Sequence, residues 1–273
     1  MTDLARLVRA HNLLLAAAGV LAGGWIALGA LALPKLLAFA ALSGVGLGAA
    51  GNAANDVQDV AADRINDPGR HPLAAGRLRD ETAHLVIWLG SGVGIGAAAL
   101  VSGRQVLVAL VALGVMLGYS PFLKRRGAPG NVAVAVVGAL PLFYGALAVG
   151  RPAAGLVPWV LAAWLHLARE LVKDLGDEVG DRAAGRQTLP VRLGIARASR
   201  VTAWASAAFF PLALVLPLAT GYGGVYLAVA SLALVVLAIA IVALRRQRFV
   251  TASGLLKIAM VLGLGALVLG RVV

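Results

Sequence analysis

The chain has 273 residues, of which 60% are hydrophobic and only 13% charged. A soluble domain has about a quarter charged residues, so this composition excludes a soluble globule and makes the bilayer the solvent for most of the surface. The absence of cysteine excludes disulfides, thiolate metal sites and a cysteine nucleophile, and the four scattered histidines do not favour a zinc site.

Nine apolar runs, each close to 20 residues, are candidate membrane-spanning helices, which need about 20 apolar residues each. In chain order they cover residues 13–33, 36–55, 83–101, 106–123, 131–149, 155–172, 201–219, 225–244 and 253–270. The predicted fold is an all-α membrane protein in which one domain, residues 1–273, forms a single bundle. The 34 glycines suit close packing of helices in lipid.

The basic residues predict the orientation of this bundle. With the N-terminus in the cytoplasm, 18 Lys and Arg residues fall on the cytoplasmic side and 4 on the other. This bias agrees with the positive-inside rule, and it attributes the net charge of +12 to membrane topology rather than to nucleic-acid binding. We therefore expect an integral multi-pass protein of the cytoplasmic membrane.

Two acidic triads share the spacing i, i+3, i+7. They are Asp56, Asp59 and Asp63, and Asp174, Asp177 and Asp181. On a helix this spacing puts three carboxylates on one face, where they repel each other unless cations neutralise them. Oxygen ligands without histidine or thiol favour magnesium or calcium. Two such faces opposite each other predict two magnesium ions that bridge a diphosphate.

The triads also define an internal repeat of an acidic helix and the loop that follows it, near residues 52–82 and 170–200. The two copies are offset by 118 residues, and Arg64 or Arg182 follows each triad directly. A single triad could equally be a solvated helix cap at the membrane interface, with no metal bound. Two triads of matched spacing use six of the 12 acidic residues and argue for a site.

Polar and basic side chains near the triads are candidates for binding the diphosphate oxygens. The predicted set is Asn55, Arg64, Arg70, Tyr119, Lys124, Lys173 and Arg182, and Arg77 and Arg186 are further candidates. The alternative role for each loop cation is to set the membrane topology. For Tyr119, an anchor at the membrane interface is as good an explanation as a hydroxyl in the site. Asp63 and Asp181 either bind metal or hold nearby basic residues.

For other polar residues in the apolar runs, a structural role is the preferred interpretation. A buried amide such as Asn12 or Asn52 is more often a helix–helix hydrogen bond than a ligand. Glu170 precedes the second triad, and we expect it to pair with Arg169 or Lys173.

These motifs resemble those of the UbiA-type intramembrane prenyltransferases. The similar segments are Asn55-Asp56-x-x-Asp59-x-x-x-Asp63, Lys173-Asp174-x-x-Asp177-x-x-x-Asp181 with Gly185-x-x-Thr188-Leu189-Pro190, and Tyr119-Ser-Pro-x-x-Lys124. The resemblance covers nearly the whole chain and implies nine helices around a central cavity that opens sideways to lipid. It also implies a prenyl diphosphate held through two magnesium ions.

The resemblance further implies a mechanism and roles for the triads. The metals and basic residues would stabilise the departing diphosphate while an acceptor captures the allylic cation, in a site that excludes water. All six triad aspartates would bind metal, and the catalytic set would be Asp56, Asp59, Asp174 and Asp177.

Two segments resemble the archaeal-type lipid members of that family. They are Arg9-Ala-His-Asn12 and Arg169-Glu170-Leu-Val-Lys173-Asp174-x-x-Asp177-x-x-Gly180-Asp181, with Ala10 in place of the usual proline. Those enzymes add a geranylgeranyl group from geranylgeranyl diphosphate to the sn-2 hydroxyl of geranylgeranylglyceryl phosphate. The resemblance makes Arg9 and Asn12 candidate acceptor-binding residues.

Two other functions stay open at this point. An aromatic acceptor of a quinone, homogentisate or chlorophyll-type pathway would use the same donor chemistry. A cation-coupled transporter would also use intramembrane carboxylates and internal repeats. Against the transporter, the acidic residues cluster on one side and none lies near the midplane.

Overall fold

A computed structural model describes residues 2–66, 69, 71–118, 127–183 and 185–273. These residues form thirteen helices and no strand. In chain order the helices are α1 (Asp3–Leu7), α2 (Ala10–Leu28), α3 (Lys35–Asn66), α4 (Asp80–Ala99), α5 (Gly103–Gly118), α6 (Ala128–Ala148), α7 (Pro152–Gly176), α8 (Glu178–Ala183), α9 (Leu189–Leu193), α10 (Ile195–Ala207), α11 (Phe209–Ala219), α12 (Gly224–Arg245) and α13 (Phe249–Val272).

Eight membrane spans are supported by helix length and composition within the described residues. They are α2, α3, α4, α6, α7, the α10–α11 pair, α12 and α13. The ninth predicted span coincides with α5, an apolar helix of 16 residues, and its predicted end at 123 lies outside the described residues. The ninth span and the cytoplasmic N-terminus therefore stay predictions.

Several helix ends differ from the predicted spans, and the ends of α2 and α3 have clear physical reasons. α2 ends at Leu28 because Gly29 adopts a left-handed conformation (φ 70°) and donates its N–H to the Trp25 carbonyl at 2.8 Å. α3 continues past residue 55 to Asn66, so the first triad belongs to the spanning helix itself. Hydrophobicity marks only the apolar part of such a helix, and its polar end is therefore missed.

Sequential helices pack as neighbours in three pairs, α3 with α4, α6 with α7 and α12 with α13. α2 packs against α3 and α6, and α13 crosses back to α7 and α2. The α2–α6 contact brings the two backbones together, because a Cβ on Gly145 would overlap the Val20 carbonyl oxygen and one on Gly23 would overlap that of Leu142. This packing closes a ring of helices around a cavity.

Candidate active site

One cavity of about 1790 Å³ lies within the ring, bordered mainly by α2, α3, α6, α7 and α13. The carboxyl-terminal ends of α3 and α7, together with the short helix α8 that follows α7, line it with all six predicted metal-binding residues: Asp56, Asp59, Asp63, Asp174, Asp177 and Asp181. Earlier turns of the same helices line it with apolar side chains, including Leu47, Leu161 and Leu165. The cavity is therefore acidic at one end and apolar farther in.

The first triad lies on the unbroken helix α3, as its spacing predicts. Asp56 and Asp59 are buried, at 2% and 8% exposure, and the Asp63 side chain is 18% exposed. Three carboxylates on one buried helix face require positive charge nearby, because desolvation makes their mutual repulsion costly.

Within the described part of the chain, Arg9 and His71 contact this triad. Arg9 Nη2 donates to Asp56 Oδ1 at 2.8 Å, and His71 Nδ1 lies 3.2 Å from Asp63 Oδ2 and 3.7 Å from Asp56 Oδ2. Arg9, a predicted acceptor-binding residue, thus lies on the first triad, where the helix break between α1 and α2 gives it a positive φ of 50°. His71 was not predicted, although its place in the basic segment after the triad is a usable signal.

The second triad does not lie on one helix, which differs from the expectation. α7 ends at Gly176, Asp177 is its C-cap, and α8 begins at Glu178. The Asp177 N–H still donates to the Lys173 carbonyl at 3.0 Å, so the chain keeps a helical turn up to the break. Glycine is a poor helix former, which explains a break at this point that the spacing alone does not show.

Each end of the second triad has a side-chain partner. Asn131 Nδ2 donates to Asp174 Oδ2 at 2.7 Å, and Arg186 Nη1 donates to Asp181 Oδ1 at 2.9 Å. Asn131, in the first turn of α6, was missed, although a lone amide that opens an apolar run is a signal. Arg186, a predicted phosphate ligand, bonds a carboxylate of the triad and also lines the cavity.

The predicted diphosphate-binding residues divide into three groups. Asn55 and Lys173 line the cavity, as does the predicted acceptor residue Asn12. Arg64 and Arg182 are exposed and do not line it, and Arg182 Nε donates to Glu178 Oε1 at 2.8 Å. The remaining three, Arg70, Tyr119 and Lys124, lie outside the described residues.

Two structural roles are confirmed. Asn52 Nδ2 donates to the Val8 carbonyl at 2.8 Å and ties α3 to the end of α1. Glu170 accepts from Arg169 at 3.1 Å and from Lys173 at 3.0 Å, so both expected pairings form.

The donor set fits a divalent cation. Burial raises the pKa of the Asp177 carboxyl, and the negative charge of Asp181 raises that pKa further, so added positive charge would favour the ionised form. One ligand atom each from Asp56, Asp63 and His71 lie within 4.8 Å of one another. Most of these ligands are carboxylate oxygens, the ligands that magnesium prefers, while His71 adds one nitrogen.

Comparison with protein families and curated relatives gives a consistent result. Residues 16–270 match the UbiA prenyltransferase family. A digeranylgeranylglyceryl phosphate synthase of Halobacterium salinarum is 39% identical over 281 residues, which cover 99% of this chain and 97% of the relative.

Two solved structures share the fold. A digeranylgeranylglyceryl phosphate synthase in membranes has a TM-score of 0.83 at 21% identity, covering 99% of this chain and 98% of that one. A UbiA homologue from Archaeoglobus fulgidus bound to DMAPP and Mg²⁺ has a TM-score of 0.67 at 17% identity, covering 97% and 99%. The chain therefore has the same arrangement of helices as these two structures over nearly its whole length.

Proposed function

This chain belongs to the UbiA prenyltransferase family, and from that premise we propose which prenyl group it transfers and to which acceptor. The donor is geranylgeranyl diphosphate, and the acceptor is the sn-2 hydroxyl of geranylgeranylglyceryl phosphate, so that the product is an ether lipid. The relative of 39% identity, matched over 99% of the chain, supports this acceptor over an aromatic one.

The observation that carries the proposal is the meeting of both acidic triads in one cavity. Two magnesium ions would be held by Asp56, Asp59 and Asp63, with His71 beside them, and by Asp174, Asp177 and Asp181. Bound there, magnesium would neutralise the diphosphate and stabilise it as the leaving group when the C1–O bond breaks.

The chain's own side chains hold and orient this machinery. Asn131 fixes Asp174 and Arg186 fixes Asp181, as hydrogen-bonded partners fix metal-binding carboxylates elsewhere. Lys173 and Asn55 line the cavity beside the triads and supply donors for diphosphate oxygens. Arg9, bonded to Asp56, supplies positive charge at the other triad.

The apolar part of the cavity receives the isoprenoid chains. Its volume, about 1790 Å³, exceeds the roughly 300–1,000 Å³ that is usual for a single small ligand, which leaves room for a donor and an acceptor together. Walls of leucine, alanine and valine would keep water from the allylic cation, so that the acceptor hydroxyl oxygen bonds to C1 and its proton passes to the departed diphosphate. We further propose that the whole chain is one domain in the cytoplasmic membrane, with the acidic end facing the cytoplasm.

Labelled geranylgeranyl diphosphate, supplied with magnesium to the protein in detergent, tests the proposal. Geranylgeranylglyceryl phosphate, 4-hydroxybenzoate and homogentisate are offered in parallel reactions. We expect labelled product only from the glyceryl phosphate, and its loss when EDTA is added. Product only from an aromatic acid would overturn the acceptor while keeping the donor chemistry.

A further inference from the structure

Lys257 is an intramembrane cation that the acidic site does not use. It is the ninth residue of α13, among apolar neighbours, and the other charged residue of that helix is Arg271 in its last turn. A charged side chain within a spanning helix is costly and is usually functional.

The side chain of Lys257 lines the cavity. Met260, Val261 and Leu264 line it too, and their spacing from Lys257 places all four residues on one face of α13. Within the part of the chain that the structure describes, no acidic group lies within ion-pair distance of its ammonium. Its charge is therefore available to a ligand in the cavity.

Arg169 of α7 lines the same cavity. Its Nη1 donates to Glu170, but its Nε is buried with no hydrogen-bond partner. A buried donor without a partner is unfavourable, and an anionic ligand that accepted its hydrogen bond would remove that cost.

The register of α7 and α13 places these two cations at similar depth. Gly176, the last residue of α7, lies against Phe249, the first residue of α13, because a Cβ on Gly176 would be 3.9 Å from Phe249 Cβ. At 1.5 Å per residue, Arg169 lies about 10 Å and Lys257 about 12 Å from that shared end. Asp174 lies only about 3 Å from it, so the two cations are farther into the bundle than the triad.

We propose that Lys257 and Arg169 form a subsite for a phosphate monoester, the phosphate of the acceptor. The proposal rests on the proposed function, which gives the acceptor such a group. In this arrangement the acceptor hydroxyl would reach C1 of the donor from the deeper side of the cavity, away from the diphosphate. Its phosphate, a few bonds from that hydroxyl, then meets cations below the triads instead of competing for the metal site.

Steady-state kinetics of the full chain with two acceptors test the subsite. The acceptors are geranylgeranylglyceryl phosphate and geranylgeranylglycerol, which lacks the phosphate. Loss of one charged hydrogen bond predicts that Lys257→Met and Arg169→Met each raise the KM for the phosphorylated acceptor about ten- to a hundredfold. The KM for geranylgeranyl diphosphate stays within about twofold, which also shows that the variants fold, and Lys257→Arg restores most of the affinity.

Lys35→Met is the matched control, because Lys35 begins α3 away from the cavity and lies over the Phe39 ring. We expect its constants to equal those of the wild type. Unchanged KM values for the phosphorylated acceptor in both variants, or a rise confined to the donor KM, would overturn the subsite alone. No product from that acceptor with the wild type would overturn the proposed function, and the subsite with it.

Discussion

The triad aspartates have different partners at the scale of the residue. Asp56 is held by Arg9 and lies near His71, whereas Asp174 accepts from the neutral amide of Asn131. A neutral donor leaves the negative charge of a carboxylate in place, while an arginine offsets it. Asp174 therefore depends more on a bound cation than Asp56 does.

Asp174→Asn is expected to reduce kcat/KM by more than about a hundredfold, because it removes a metal ligand while preserving the size of the side chain. Initial rates with saturating magnesium measure the effect. The matched control is Asp80→Asn in the exposed first turn of α4, which should keep the wild-type rate. A rate within threefold of wild type for Asp174→Asn would contradict the metal site.

His71 introduces a nitrogen beside Asp56 and Asp63. Imidazole binds zinc in preference to magnesium, so zinc is expected to inhibit the wild type by competing for this site. In His71→Gln the zinc concentration needed for inhibition should rise about tenfold or more, because mutating a residue that binds or supports a metal lowers metal affinity by roughly that factor. Zinc titrations at fixed magnesium measure it, with His84→Gln as the control, because His84 is exposed on α4 and does not line the cavity. Equal inhibition of both variants would show that His71 is not a ligand.

The raised pKa of Asp177 predicts a pH-dependent stability of the metal-free protein. The protonated form is favoured in the fold, so this stability is present at pH values below the ordinary pKa of an aspartate and is lost as pH rises through the raised value. We expect Tm in EDTA to fall over that interval and magnesium to oppose the fall. Asp177→Asn should flatten this dependence. An unchanged profile in that variant would assign the dependence to other groups.

At the scale of the element, the two acidic segments have different local structures. α3 carries its triad on a continuous helix, while the second triad spans the break between α7 and α8. After the break Asp181 lies on α8, where Arg186 Nη1 donates to its Oδ1 at 2.9 Å. Equal sequence spacing thus does not impose equal geometry.

Close packing of α2 and α6 positions the helices on either side of the cavity. Gly145→Ala is expected to destabilise the protein by about 1–3 kcal/mol, because the added Cβ would overlap the Val20 carbonyl oxygen. Gly96→Ala in α4, where a Cβ would meet nothing within 4 Å, is the control and should be neutral or stabilising. Thermal unfolding in detergent compares the two. Equal Tm values would refute the close backbone contact.

At the scale of the whole molecule, the absence of native cysteine makes the orientation directly testable. Single cysteines can replace Arg79, just before α4, and Arg104, at the start of α5. The two positions lie on opposite sides of the α4 span. The predicted topology places Arg79 in the cytoplasm, so a membrane-impermeant maleimide added to intact cells should label Arg104→Cys and not Arg79→Cys. Lysed cells, in which both should react, provide the control. The reverse pattern would invert the orientation.

The sequence by itself determined the class of fold and the presence of the two triads. Apolar run length and aspartate spacing are local properties, so they predicted the eight apolar helices that are long enough to span a membrane in the described residues, and a single acidic face on α3. Local hydrophobicity did not predict where α3 ends, because its last turns are polar and still helical. The resemblance of the motifs supplied the family, which comparison confirmed over residues 16–270.

Only the tertiary structure decided which side chains serve the triads. Arg9 and Asp56 are 47 residues apart, and Asn131 and Asp174 are 43 apart, so no local spacing predicts these bonds. The depth shared by Lys257 and Arg169 likewise depends on how α7 and α13 pack side by side. Helix packing brings together groups that are distant in the chain, and a site made of such groups exists only once the helices are assembled.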